Sequence, residues 1–243
     1  KQNHNLGRFR ATNLNGNDTK TEIGYITVTS PQALPLVEGF EAAFVPAGWN
    51  NLDINGNGNT WQQTTSASGF GTSTACSVFD NYNNDEAGAR DQLWTPKYVF
   101  TNVTSATMTF DVAYARYNAT YSDSLAVLVS TDCGVTFTQV FLKGGSTLAT
   151  APDATALFIP TAAQWRTETV SLNAFAGQGN VMIAFQNRGR YGNAIFLDNI
   201  NITGVVSSPP PIADFTATPT TLCAGQTVAF TDISTGGPTS WSW

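Results

Sequence analysis

Apolar and polar residues alternate at period two through most of the chain, and no long stretch shows helical spacing. In the segment ATMTFDVAYA, Met108, Phe110, Val112 and Tyr114 alternate with Thr107, Thr109, Asp111 and Ala113. Leu125, Val127 and Val129 repeat the pattern. So do Val181, Ile183 and Phe185, and then Ile195, Leu197, Ile200 and Ile202. Successive strand side chains point to opposite faces, so each run offers one face to a core. Clusters of Gly, Asn, Ser and Pro separate the runs and supply turns. Many strands divided in this way predict an all-β fold, an antiparallel sandwich or barrel.

Two breaks interrupt the series. TSPQALP, from Thr29 to Pro35, closes a short Thr-rich opening, and the prolines Pro209 to Pro211 favour extended polyproline over a continuing strand. The expected organisation is residues 1–30 as the last strands of a preceding domain and 31–205 as the main sandwich. A Pro-rich linker follows at 206–212, then the start of a further domain at 213–243, too short for a core of its own. The chain begins at Lys1 rather than at an initiator Met, which reads as a piece of a longer protein.

Composition narrows the function. Hydrophobic residues make up 42% of the 243, enough for a real core. Charged residues make up only 12%, about half the usual ~25%, so Asn, Thr, Ser, Gln and Gly must cover much of the surface. A net charge of −6 leaves no basic footprint for nucleic acid. No apolar run approaches the roughly 20 residues of a membrane-spanning helix, so no membrane insertion is expected. The three cysteines permit at most one intrachain disulfide; Cys76 and Cys133 either pair or stay as buried thiols. His4 is the single histidine, no H-E-x-x-H or C-x-x-C occurs, and no phosphate-binding glycine loop is present. A glycosidase would need paired carboxylates, but most of the twelve Asp lie in turn-like stretches. No catalysis is expected of this chain.

NNLDINGNGNTW, from Asn50 to Trp61, puts Asp53, Asn55 and Asn57 at alternate positions with Gly58 sixth, as in the opening half of a calcium loop. An EF-type loop closes with a bidentate Glu at the twelfth position, which here is Thr64. A turn rich in Asn and Gly is the preferred reading. Asp53, Asn55 and Asn57 remain the lesser calcium candidate.

Several segments, in this order, resemble the cleaved-adhesin or MAM-like jelly-roll modules (choice-of-anchor J type) of secreted bacterial proteins. They are VEGFEAAFVPAGWNNLDINGNGNTW, DQLWTPKYVF, ATMTFDVAYARYNATYSDSLAVLVSTDCGVTF and QWRTETVSLNAFAGQGNVMIAFQNRGRYGNAIFLDNINI. The tail from Ala213 resembles the first half of a PKD-type domain, and GRFRATNLNGNDTKTEIGYITV the last two strands of another. The resemblance implies an antiparallel jelly-roll β-sandwich flanked by short immunoglobulin-like, PKD-type segments. It also implies a secreted or cell-surface location and a non-catalytic adhesion or binding role. Partners would be a glycan or extracellular protein surface, besides covalently linked neighbouring domains. Alternatives are a structural spacer in a long adhesin, or an accessory domain of a secreted metallopeptidase.

The resemblance further implies a structural Ca2+ joining the first strand to the last. The matching residues are Glu41 in GFE and Asp198 in FLDNI, with Asp91 before QLWTP as a third ligand. Carboxylates in otherwise apolar strand segments are costly to bury unless paired or coordinated. The alternative is that backbone amides satisfy them without an ion. For a ligand site, YARYNATYSDS gathers Arg116, Tyr117 and Tyr121, and QNRGRYGN adds Arg188, Arg190 and Tyr191. Aromatic faces stack on sugar rings and guanidinium groups give directed hydrogen bonds. Taken singly, each reads as a packing or solvated residue; together they form a carbohydrate-site candidate. Trp49, Trp61, Trp94 and Trp165 read as core.

Overall fold

The computed structural model describes residues 3–13, 16–28, 30–70, 73–84, 87–207 and 210–242, with side chains from Ser30 onward. The side chain of His4 therefore lies outside the described set. Fifteen strands are described: β1 (Asn3–Asn13), β2 (Gly16–Val28), β3 (Leu36–Glu38), β4 (Asn50–Leu52), β5 (Gln62–Thr64), β6 (Cys76–Phe79), β7 (Gln92–Trp94), β8 (Val103–Tyr114), β9 (Ser124–Ser130), β10 (Thr138–Gly144), β11 (Arg166–Ser171), β12 (Met182–Arg188), β13 (Ile195–Val206), β14 (Phe215–Thr218) and β15 (Ala229–Asp232). Among the described residues the remaining regular structure is three single-turn 3₁₀ segments, and no helix is long and apolar enough to cross a membrane.

The chain divides into two compact units, Lys1–Val205 and Val206–Trp243. The first holds two antiparallel sheets, in the orders β10-β9-β12-β7-β4 and β11-β8-β13-β6-β5, with β3 also pairing β13. It also holds the antiparallel hairpin of β1 and β2. The second unit holds the β14–β15 hairpin.

The alternating residues meet between the two sheets as a β-sandwich demands. Met108, Phe110, Val112 and Tyr114 from one sheet pack in one cluster with Leu125, Val127, Val129, Val181, Ile183 and Phe185 from the other side. Phe110 stands edge-on to Phe185 with centroids 5.4 Å apart. Trp49 and Trp61 join this core. Trp165 packs with Ala113, Phe158 and Phe196 in a second cluster, and Trp94 lies half-buried against Phe137. All three cysteines are free; Cys76 is buried, whereas Cys133 is exposed rather than part of a buried pair.

β13 carries the feature that matters most for one candidate site. Its inward residues change phase, Ile195 and Leu197 before the break and Ile200 and Ile202 after it. Such a slip needs an extra residue in the strand, and Asn199 takes it up with φ at +46°. Residues 195–197 pair with β6, and residues 200–202 with β3. Asp198 and Asn199 thus lie where one partner strand leaves and the other joins.

Candidate functional site

The gap along β13 brings together two of the expected calcium ligands, Glu41 and Asp198. Glu41 follows β3, Ser73 precedes β6, and Asp198 lies between the two pairings. Asp198 is fully buried; its Oδ2 accepts from the Gly69 amide at 2.5 Å and its Oδ1 from the Asn199 amide at 2.7 Å. Glu41 accepts from the Ser73 hydroxyl at 2.8 Å, from the Thr74 amide at 2.8 Å and from the Thr74 hydroxyl. Those bonds, the Thr74 hydroxyl first, hold the Glu41 carboxyl down at about 2, while burial pushes Asp198 up.

Ser73 Oγ sits 2.8 Å from Glu41 Oε1, 2.6 Å from Asp198 Oδ2 and 2.9 Å from the Ala75 carbonyl. A hydroxyl has one proton and can satisfy one of these three oxygens. The others face oxygen without a proton between them, an arrangement a hard cation relieves, since calcium accepts carboxylates, carbonyls and neutral oxygens together. Among the described residues no three His, Cys, Asp or Glu side chains group at one place. The acidic ligands would therefore be these two, completed by neutral oxygens. The donor chemistry fits.

Asp91 is not part of this group. Its Oδ1 accepts from the Ile54 and Asn55 amides at 2.8 and 3.3 Å, at the loop after β4. It is fully buried there, its Oδ2 without a partner among the described residues, and burial, reinforced by the Asp53 charge, raises its pKa. The register explains the placement: β4 pairs β7, with Leu52 opposite Gln92, so the residues just beyond each strand end meet. The loop itself is closed by its own side chains. Asp53 accepts from the Gly56, Asn57 and Gly58 amides at 2.7, 3.1 and 2.8 Å. The Gly58 bond contributes most to holding its carboxyl below the usual value. Asn57 Oδ1 accepts from the Asn59 amide, and Asn55 Oδ1 from the Arg90 amide. The Asp53 and Asn57 bonds are turn contacts, formed with Gly56 and Gly58 at positive φ, whereas the Asn55 bond ties the loop to the segment before β7.

The tyrosines form a site at one end of the sandwich, where β6 and β8 finish and β9 and β13 begin. Tyr117 and Tyr121 stand 6.3 Å apart, Tyr121 and Tyr191 6.0 Å, and Tyr82, which carries no mark in the sequence, 6.4 Å from Tyr117. The four rings rim a cleft of about 690 Å³ floored by Asn81 and Gly192. Tyr121 and Tyr191 are 44% and 41% exposed. None of the four phenol hydroxyls bonds to a described residue, whereas buried Tyr114 is bonded to Asp123.

Each loop is fixed by a polar side chain. Asp80 accepts from the Tyr82 and Asn83 amides, and Asn118 from the Thr120 and Tyr121 amides. Buried Asn81 and Asn187 exchange reciprocal amide bonds of 2.9 and 2.8 Å. Asp123, fully buried, accepts from the Arg190, Gly192 and Asn193 amides at 2.7, 3.1 and 2.7 Å. Sequence reading missed Asp123; an acidic residue just before an apolar strand run was its available signal.

The arginines divide. Arg116 is held by Asp153 in a two-pronged pair of 2.8 and 3.0 Å and does not line the tyrosine cleft. Arg188 and Arg190 line an adjoining cleft.

The sequence profile of the Cleaved Adhesin Domain matches residues 33–202. The chain belongs to the Cleaved Adhesin Domain family. Among solved structures, the K1 cleaved adhesin domain of Lys-gingipain from Porphyromonas gingivalis W83 is 23% identical, with a TM-score of 0.53 over 71% of this chain and 99% of that one. The K2 domain of Lys-gingipain is 23% identical at 0.51, over 70% and 97%. The K3 domain from the same organism is 27% identical at 0.49, over 69% and 97%. The K1 and K2 likenesses bear out the sandwich fold. No curated protein matches. A cleaved adhesin domain is an adhesion or binding module, and that is the role of this one.

Proposed function

We propose that this cleaved adhesin domain is a non-catalytic, calcium-stabilised module of an extracellular multidomain protein, and that it recognises glycans through the four-tyrosine cleft. The observation that carries the glycan reading is the row of linked tyrosine rings, whose hydroxyls bond to no described residue, on loops fixed by hydrogen bonds. Rings of this kind stack on the apolar face of a sugar, and their hydroxyls serve its oxygens. Holding such groups on loops of a rigid scaffold is how a binding module limits ordering costs. Calcium enters through Glu41, Asp198, Ser73 and the Ala75 carbonyl, where it would supply the positive charge that crowded oxygens lack.

The test is glycan binding by the intact chain and by Tyr82→Ala and Tyr121→Ala. Each variant should bind roughly tenfold more weakly, the loss of about one stacking contact, with an unchanged melting temperature. An intact chain silent on neutral and acidic glycans alike overturns this reading and leaves the spacer role.

A further inference from the structure

The second cleft, of about 750 Å³, has a different chemistry from the tyrosine cleft beside it. Arg90, Arg188 and Arg190 line it with Ser122, Ser124 and Thr147, and no described carboxylate does. Among the described residues, Arg116 pairs with Asp153, and Lys143 and Arg166 with Glu168, while Lys97 makes no described ion pair. Arg188 bonds neutral oxygens among the described residues, Gln186 Oε1 at 2.9 Å and Gln139 Oε1 at 2.8 Å. Arg90 and Arg190 are anchored through their backbone amides, to Asn55 and Asp123, and their side chains make no hydrogen bond or ion pair with described residues. A protein of net charge −6 thus places three of its eleven basic residues along one cleft whose described lining holds no carboxylate, the nearby Asp123 being buried and bonded to backbone amides. Like charges at short range repel, and an incoming anion turns that repulsion into attraction. Burial, together with the charge of Arg90, already lowers the pKa of Arg188.

The two clefts are fronted by consecutive residues. Tyr121 and Tyr191 line the first, Ser122 and Arg190 the second. Neighbouring Cα atoms lie about 3.8 Å apart, the scale of one sugar ring and its substituent. The guanidinium fork matches the planar or tetrahedral oxygens of a carboxylate or sulfate. Asp123 fixes Arg190 and Gly192 in one turn, so that the cationic and aromatic surfaces keep a set spacing. We propose that the arginine cleft holds the acidic group, a carboxylate or sulfate ester, of an anionic polysaccharide whose rings lie on the tyrosines. This inference rests on the glycan reading above and narrows it to acidic chains.

The experiment is calorimetry on the intact chain with two ligand pairs, each an acidic sugar and its neutral counterpart. The first pair is a galacturonate hexasaccharide and its methyl ester, the second a sulfated galactan oligosaccharide and its desulfated form. At least one charged member should bind about tenfold or more tightly than its neutral partner, and the pair that does so identifies the anion. The excess should fall as salt rises. Arg90→Gln/Arg190→Gln, both at exposed positions, should abolish the excess yet keep neutral binding and melting temperature. Equal affinity within both pairs overturns the anionic cleft and leaves the tyrosine reading standing. A charge preference that survives the double substitution overturns it too. Polyglutamate competing as well as the oligosaccharide, with the same arginine dependence, reassigns the cleft to an acidic peptide. Silence toward all four sugars overturns both readings.

Discussion

A Cβ built on Gly192 would lie 1.9 Å from Asp123 Oδ2 and 2.5 Å from Asp123 Cγ. The carboxylate it would strike is buried and holds three amides of the same turn, so it cannot swing aside. Gly192→Ala should therefore cost about 2 kcal/mol or more, lowering the melting temperature by roughly 4–8 °C for a chain of this size. An unchanged melt would show the turn to be slack. Glu41 and Asp198 make opposite predictions for acid. The Glu41 carboxyl lies at about 2 in the fold against 4.5 normally, so it stabilises above pH 4.5 and loses that contribution as pH falls toward 2. Asp198 is raised by burial above its usual 3.8, so the folded chain keeps a proton that the unfolded chain releases, and stability from this group declines as pH climbs above 3.8. In chelator, Glu41→Gln should flatten the acid limb of melting temperature between pH 4.5 and 2. An acid limb as steep as in the parent chain would refute the assignment.

Strand faces are legible in the sequence because period-two alternation follows directly from strand geometry, and Phe110, Val127, Ile183 and Leu197 all point where that rule puts them. Even the slip in β13 is written there, as the change of parity between Leu197 and Ile200. Glu41 and Asp198 meet because β3 and β13 pair. Asp91 does not join them because strand order is set by long-range pairing, which no local pattern encodes. Tyr82 and Arg90 were unreadable for the same reason: each reaches its cleft from a loop far away in the sequence. For the loop after β4, three amides converging on Asp53 make the turn self-sufficient. Asp53→Ala should lower the melting temperature by a few degrees, equally with and without chelator. A difference erased by chelator would restore that loop as an ion site.

On the scale of the whole sandwich, Glu41 follows the first strand of the six-stranded sheet and Asp198 lies within its last, so the proposed ion would tie together segments more than 150 residues apart in the chain. Binding only to the fold, calcium at a hundred times its dissociation constant adds about 2.7 kcal/mol. Excess chelator should thus lower the melting temperature by roughly 5–10 °C; an unaltered melting curve would refute calcium at this gap. A second tie lies at the opposite end of β6, where Asn81, just past a strand of the six-stranded sheet, exchanges two buried amide bonds with Asn187 of the five-stranded sheet. For a protein that grips a surface, that small clasp has a mechanical consequence. A pull on anything seated among the tyrosines is loaded onto both sheets at once, in parallel, instead of peeling one loop from its own sheet bond by bond.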